Sequence, residues 1–112
     1  MYQSITVIGR LGRDPEMRFT PSGQGVTSFS VATDRSYTDK DGKPAKETTW
    51  FKVTAWGKLA ETCNTYLQKG KLILVEGRVS VSAYMKDDKP VGSLELTANT
   101  VKFLDSKNEE EK

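Results

Sequence analysis

Histidine is absent from the 112 residues and cysteine occurs once, at Cys63. The first absence removes the commonest general base and the commonest zinc ligand, and a single thiol replaces neither. It also leaves no internal disulfide, as expected of a protein from a reducing compartment, where Cys63 serves as a small buried hydrophobe. Long apolar runs are missing too. The longest is "LILV" at Leu72–Val75, too short to span a membrane. The N-terminus, "MYQSITVIGR", has no basic segment leading into an apolar one, so no secretion signal is expected. Acidic residues do not cluster as a metal-dependent nuclease would need; pairs such as Asp87 and Asp88 sit in turn sequences. Neither catalysis nor a cofactor is therefore expected.

What remains is a small, polar, mildly basic chain. Its length suits one domain with a real core. The net charge of +2 hides an asymmetry: Asp105–Lys112, "DSKNEEEK", holds two lysines and four acidic residues, leaving a body of +4 over residues 1–104. That is a modest attraction for polyanions and identifies nothing alone. The division expected is a domain over 1–104 and a short, charged, disordered tail over 105–112.

Strand patterns dominate. "SITVIGRL" sets Ile5, Val7 and Leu11 on one face, "EMRF" is a short extended piece, and "VTSFSVAT" sets Phe29 and Val31 against serines. "DRSYTDKDGKPAKE" has the turn chemistry of a long mobile loop or a hairpin. "KLAETCNTYLQKG" spaces Leu59, Cys63, Tyr66 and Leu67 as an amphipathic helix ending at Gly70. "KLILVEGRVSVSAY" predicts a long strand bent at Gly77. In "SLELTANTVKFL" the apolar parity changes near Asn99 and Thr100, which predicts a bulge. Five strand regions with one helix between the third and fourth is the order of an OB-fold, an all-β, five-stranded Greek-key barrel.

The stretch "TTWFKVTAW" carries the chemistry. Side chains two apart share a strand face, so Trp50, Lys52, Thr54 and Trp56 point one way and Phe51, Val53 and Ala55 the other. The aliphatic set suits a core, with Phe51 readable as core or as subunit interface. The other face reads either as tryptophans buried beneath another element or as a stacking platform on a wet surface. Tyr84 lies on the polar face of the fourth strand region, Tyr37 in the long loop, and Lys58, Arg10, Arg35 and Arg78 lie near in sequence or on matching faces. An unpaired nucleic-acid strand exposes base faces that any flat aromatic can stack, and cations beside them neutralise phosphates. Interleaved aromatic and basic residues on strands thus favour the platform and suit an unpaired strand better than a duplex groove.

Several stretches carry a resemblance: "ITVIGRLGRDPEMRFTPSGQGVTSFSVAT", "TTWFKV", "WGKLAE", "YLQKGKLILVEGRV" and the loop running from Tyr84 to Pro90. Over about the first 104 residues the chain closely resembles bacterial-type single-stranded DNA-binding protein. The resemblance implies an OB-fold homotetramer around which single-stranded DNA wraps without sequence preference in replication, recombination and repair, in the bacterial cytoplasm. The family's stacking aromatics fall on Tyr37, Trp50, Trp56 and Tyr84. Well-known members have tryptophan where this chain has Tyr37 and Tyr84, and often phenylalanine at Trp56; stacking survives these exchanges. "RVSVSAY" offers Arg78 but little further charge, which implies fewer phosphate contacts there. The family usually carries a long tail with an acidic, aromatic-tipped end that recruits repair and replication enzymes; this sequence stops at "NEEEK", so such recruitment is not expected of it. The resemblance also implies that the first strand, near Tyr2–Ile8, joins subunits. A primosomal-type accessory barrel acting through protein partners is the alternative, with cold-shock-like RNA binding a variant of the first reading.

Overall fold

A computed structural model of the chain describes residues 2–104. The tail over 105–112 and the disorder expected there lie outside the described residues. The elements run β1 (Ile5–Leu11), β2 (Glu16–Phe19), β3 (Gly25–Thr38), β4 (Pro44–Trp56), α1 (Gly57–Tyr66), β5 (Leu72–Lys86) and β6 (Lys89–Phe103). The sheet order is β1-β5-β6-β4-β3-β2, and a further pairing of β1 with β3 closes β1, β3, β4, β5 and β6 into a five-stranded barrel. The helix crosses between β4 and β5, as the OB-fold order requires. The extended piece "EMRF" is β2, paired antiparallel to β3 outside the closed ring.

Period-two alternation fills the barrel. Val7, Leu11, Phe29, Val31, Phe51, Val53, Ala55, Ile73, Val75, Leu96 and Ala98 form one buried cluster. Phe51, 9% exposed, belongs to it. α1 closes one end with Ala60 and Cys63, and Leu67 follows into the core. The buried Thr27 hydroxyl donates to the Ala60 carbonyl at 2.7 Å, pinning helix to β3. Burial pushes the Cys63 thiol from 9.0 up to about 11, so it stays a protonated, unreactive hydrophobe at neutral pH.

Three local expectations meet different outcomes. The bulge is where the parity change put it: Glu76 faces Thr100 while Gly77 faces Ala98, so Asn99 on β6 is the extra residue and the register of β5 against β6 shifts at Gly77. The helix stops at Tyr66, four residues before Gly70, and Tyr66 is exposed while Ala60 takes its place on the buried face. Tertiary contacts override the periodicity. Leu67 turns extended, at φ −87° and ψ 148°, which drops its side chain into the core, and the Lys69 amide donates to the Asp14 carboxylate at 2.8 Å instead of continuing the helix.

The segment around Tyr37 takes the hairpin form, so Tyr37 lies on β3 and not in a loop. β3 and β4 pair without interruption from Val26↔Trp56 to Thr38↔Pro44. The Asp39 carboxylate accepts the Asp41 and Lys43 amides, both at 2.9 Å, and Gly42 supplies the positive φ of the turn. Cross-strand charges zip the ribbon: Arg35 meets Glu47 at 3.4 Å and Lys46 meets Asp34 at 3.5 Å. The second hairpin, β5–β6, turns on Asp87 and Asp88 alone, both at positive φ, the mirror-image turn that matches strand twist.

Candidate nucleic-acid interface

The outer face of β4 is wet. Trp50 is 53% exposed and Trp56 44%, with Lys52 exposed between them. The two indoles stand six positions apart, about 20 Å along β4. The ladder also fixes their neighbours. Trp50 pairs with Ala32, Lys52 with Ser30 and Thr54 with Ser28, so short side chains floor the face beside the tall ones. The Trp50 indole rests over Gly12, where a methyl group would meet its Cζ3 at 2.6 Å, so only glycine leaves the ring this position.

Register brings several of the candidate residues to this face. Arg78 pairs with Thr97, which pairs with Thr54, placing it two strands, or about 10 Å, from the centre of the β4 row. Arg10 pairs with Ala32 and so stands two strands from Trp50; its Nη1 donates to the Gly70 carbonyl at 2.9 Å. Tyr84 has the same parity as Arg78 along β5 and is 53% exposed. A groove of about 410 Å³ unites Tyr84 with Trp50, Lys52 and Thr48, bridging β4 and the base of the β5–β6 hairpin. Lys58 is exposed in the first turn of α1, directly after Trp56 and Gly57.

Tyr37 and Arg35 do not join that face. Because the β3–β4 register never shifts, they share parity with Val31 and Phe29 and project from the side of the ribbon opposite Trp50. The Arg35 guanidinium lies 4.8 Å over the Tyr37 ring and is also engaged by Glu47, so its charge is already partly answered within the hairpin. On the Trp50 side of the same ribbon, the Thr48 hydroxyl donates to Asp34 at 2.7 Å. That bond lowers the Asp34 carboxyl below its usual 3.8; partial desolvation opposes the shift and the Lys46 charge assists it.

Two arginines that sequence reasoning passed over also border this face. Arg13 lines a groove of about 340 Å³ with Gly12, Ser30 and Trp50, and Arg18 pairs through Val26 to Trp56. Arg13 follows Gly12 in a loop without periodicity, and β2 is too short for its parity to be read. Among the described residues no group of three or more histidine, cysteine, aspartate or glutamate side chains could hold a metal ion, and no helix is long and apolar enough to cross a membrane.

Comparison with known proteins places this surface in a context. The single-strand binding protein family model matches residues 2–104. The single-stranded DNA-binding proteins of Neisseria meningitidis serogroup A and Thermotoga maritima are each 42% identical to it, over 106 and 110 residues covering 94% and 95% of this chain. The chain spans 61% of the length of the Neisseria protein and 76% of that from Thermotoga. Among solved structures, a Plasmodium falciparum SSB in complex with ssDNA superposes with a TM-score of 0.80 at 23% identity, covering 94% of this chain and 97% of that one. A deletion mutant of the Thermus aquaticus single-stranded DNA binding protein gives 0.76 at 28% identity, covering 94% and 51%. With a family match across nearly every residue and this identity to curated members, the chain belongs to the single-strand binding protein family.

Proposed function

We propose that this chain binds unpaired DNA without reading its sequence, acting by binding and not by catalysis. The observation that carries the reading is the outer face of β4: two half-exposed indoles about 20 Å apart, a lysine between them, and a groove that joins the first to Tyr84. Bases stack on Trp50, Trp56 and Tyr84, while Lys52, Lys58, Arg10 and Arg78 answer the phosphates. Tyr37 and Arg35 serve a strand that rounds the edge of the β3–β4 hairpin. Relatives named for single-stranded DNA support the substrate class.

The test is intrinsic tryptophan fluorescence during titration with poly(dT), with duplex DNA as control. Strong quenching that saturates at a fixed number of nucleotides per chain, with the duplex curve flat, is the expected result. Equal quenching by duplex, or none by either, sinks the reading in favour of a barrel that works through protein partners.

The same reading includes a homotetramer in the bacterial cytoplasm, serving replication, recombination and repair. Support for assembly comes from two exposed apolar side chains, Tyr2 just before β1 and Ile8 on the outer face of β1. Sedimentation at micromolar concentration is expected to give four chains per particle; a monomeric mass refutes the assembly.

A further inference from the structure

Ser28 and Ser30 keep the outer face of β3 low where β4 beside it carries Lys52 and Trp50. Ser30 lies on the margin of three adjoining grooves. One holds Tyr84 and Trp50, one holds Gly12, Arg13 and Trp50, and a third of about 250 Å³ holds Arg13, Arg18 and Lys52. The three share walls, so they form one continuous trough from the β5–β6 hairpin, past Trp50, to β2.

Accepting the single-strand reading above, we propose that the DNA backbone follows this trough off Trp50 and that Arg13 and Arg18, with Lys52, form a phosphate-binding pocket at its far end. The chemistry fits the residues. Guanidinium groups match phosphate oxygens in a two-point fork. Among the described residues neither Arg13 nor Lys52 is held in an ion pair. Arg18 reaches Glu16 at 3.4 Å, but those side chains are 83% and 62% exposed, a contact that solvent already weakens and a phosphate can displace. The other carboxylate at the pocket, Asp14, is engaged by the Lys69 amide. Arg18 stands two strands from Trp56 through Val26, so the pocket serves the stretch of backbone between the two stacked bases.

Salt dependence of poly(dT) binding tests the pocket. Each phosphate contact on a single strand contributes about 0.7 to the slope of log affinity against log salt. The double variant Arg13→Ala/Arg18→Ala is expected to lower that slope by about 1.4, weakening binding roughly 25-fold at 0.1 M salt and hardly at all near 1 M. Its quenching plateau and thermal midpoint stay at the unmodified values, since stacking is untouched and both side chains are exposed. Arg13→Lys/Arg18→Lys retains the slope. Lys102→Ala, in the row with Leu74 and Ile8 and lining none of the three grooves, leaves both slope and affinity as they were. An unchanged slope in the double alanine variant, or an equal loss in Lys102→Ala, overturns the pocket while the quenching platform stands. Failure of the unmodified chain to bind overturns the single-strand reading, and this one with it.

Discussion

The double variant Trp50→Ala/Trp56→Ala is expected to bind poly(dT) roughly 30-fold or more weakly than the unmodified chain while keeping its fold. The magnitude follows from stacking, worth about 1–3 kcal/mol for each base removed, so two lost platforms cost at least about 2 kcal/mol. The fold survives because each indole is about half in solvent, and surface changes of this kind usually move stability by no more than about 0.5 kcal/mol. Either single variant removes one stack, an expected loss of roughly five-fold or more. The two sites lie about 20 Å apart on the strand and share no partner, so their effects should add. Affinity by polarisation of a labelled oligonucleotide, beside a urea midpoint, separates the terms. Undiminished affinity in a folded double variant sinks the platform, and a collapsed midpoint means the indoles were structural.

The contrast with the pocket variants is informative. Losing stacking lowers affinity at every salt concentration, whereas losing phosphate contacts lowers it chiefly at low salt. The two experiments therefore report on different parts of one surface. The β4 face was legible in the sequence because Phe51, Val53 and Ala55 alternate with Trp50, Lys52 and Trp56 over seven residues, a period-two pattern that argues for a strand with an aliphatic core face. Asn99 was legible for the same reason, since an extra residue inverts the parity on either side of it. Tyr37 was not. Its segment has the composition of a loop, and what keeps it in register, the unbroken β3–β4 ladder braced by the Arg35–Glu47 and Lys46–Asp34 pairs, consists of cross-strand contacts that need the fold. With the register known, Tyr37 turns to the opposite side of the ribbon from Trp50. Arg13 and Arg18 escaped because a loop and a four-residue strand carry no usable period, and their proximity to Lys52 is a property of β2 folding back on β3.

The largest stability effect is expected from a residue with no side chain. At Gly9 an added Cβ would fall inside the van der Waals envelope of the Ala32 carbonyl oxygen and 2.8 Å from Cγ1 of Val31. This is where β1, already paired with β5, swings across to pair with β3 through Arg10 and Leu11 and closes the barrel. The obstacle is backbone held in two ladders, not the free end of a side chain, so the strain cannot be relieved by a rotamer change. Gly9→Ala must separate β1 from β3, opening the ring beside the buried Leu11 and Val31. Inserting one carbon into a packed core costs about 1–3 kcal/mol, and a carbonyl obstacle in a closed sheet puts this case at the upper end or beyond. Against a total of about 5–15 kcal/mol, that is a substantial share, and for a domain near this size it lowers the thermal midpoint by roughly 10 °C or more. Gly92→Ala is the matched control: it adds the same carbon in a strand, where nothing lies within 4 Å and φ is not positive, and its midpoint should not fall. Equal midpoints for the two variants would mean that β1 and β3 can part without cost, and the closure would then contribute nothing to holding Arg10 and Ala32 beside Trp50.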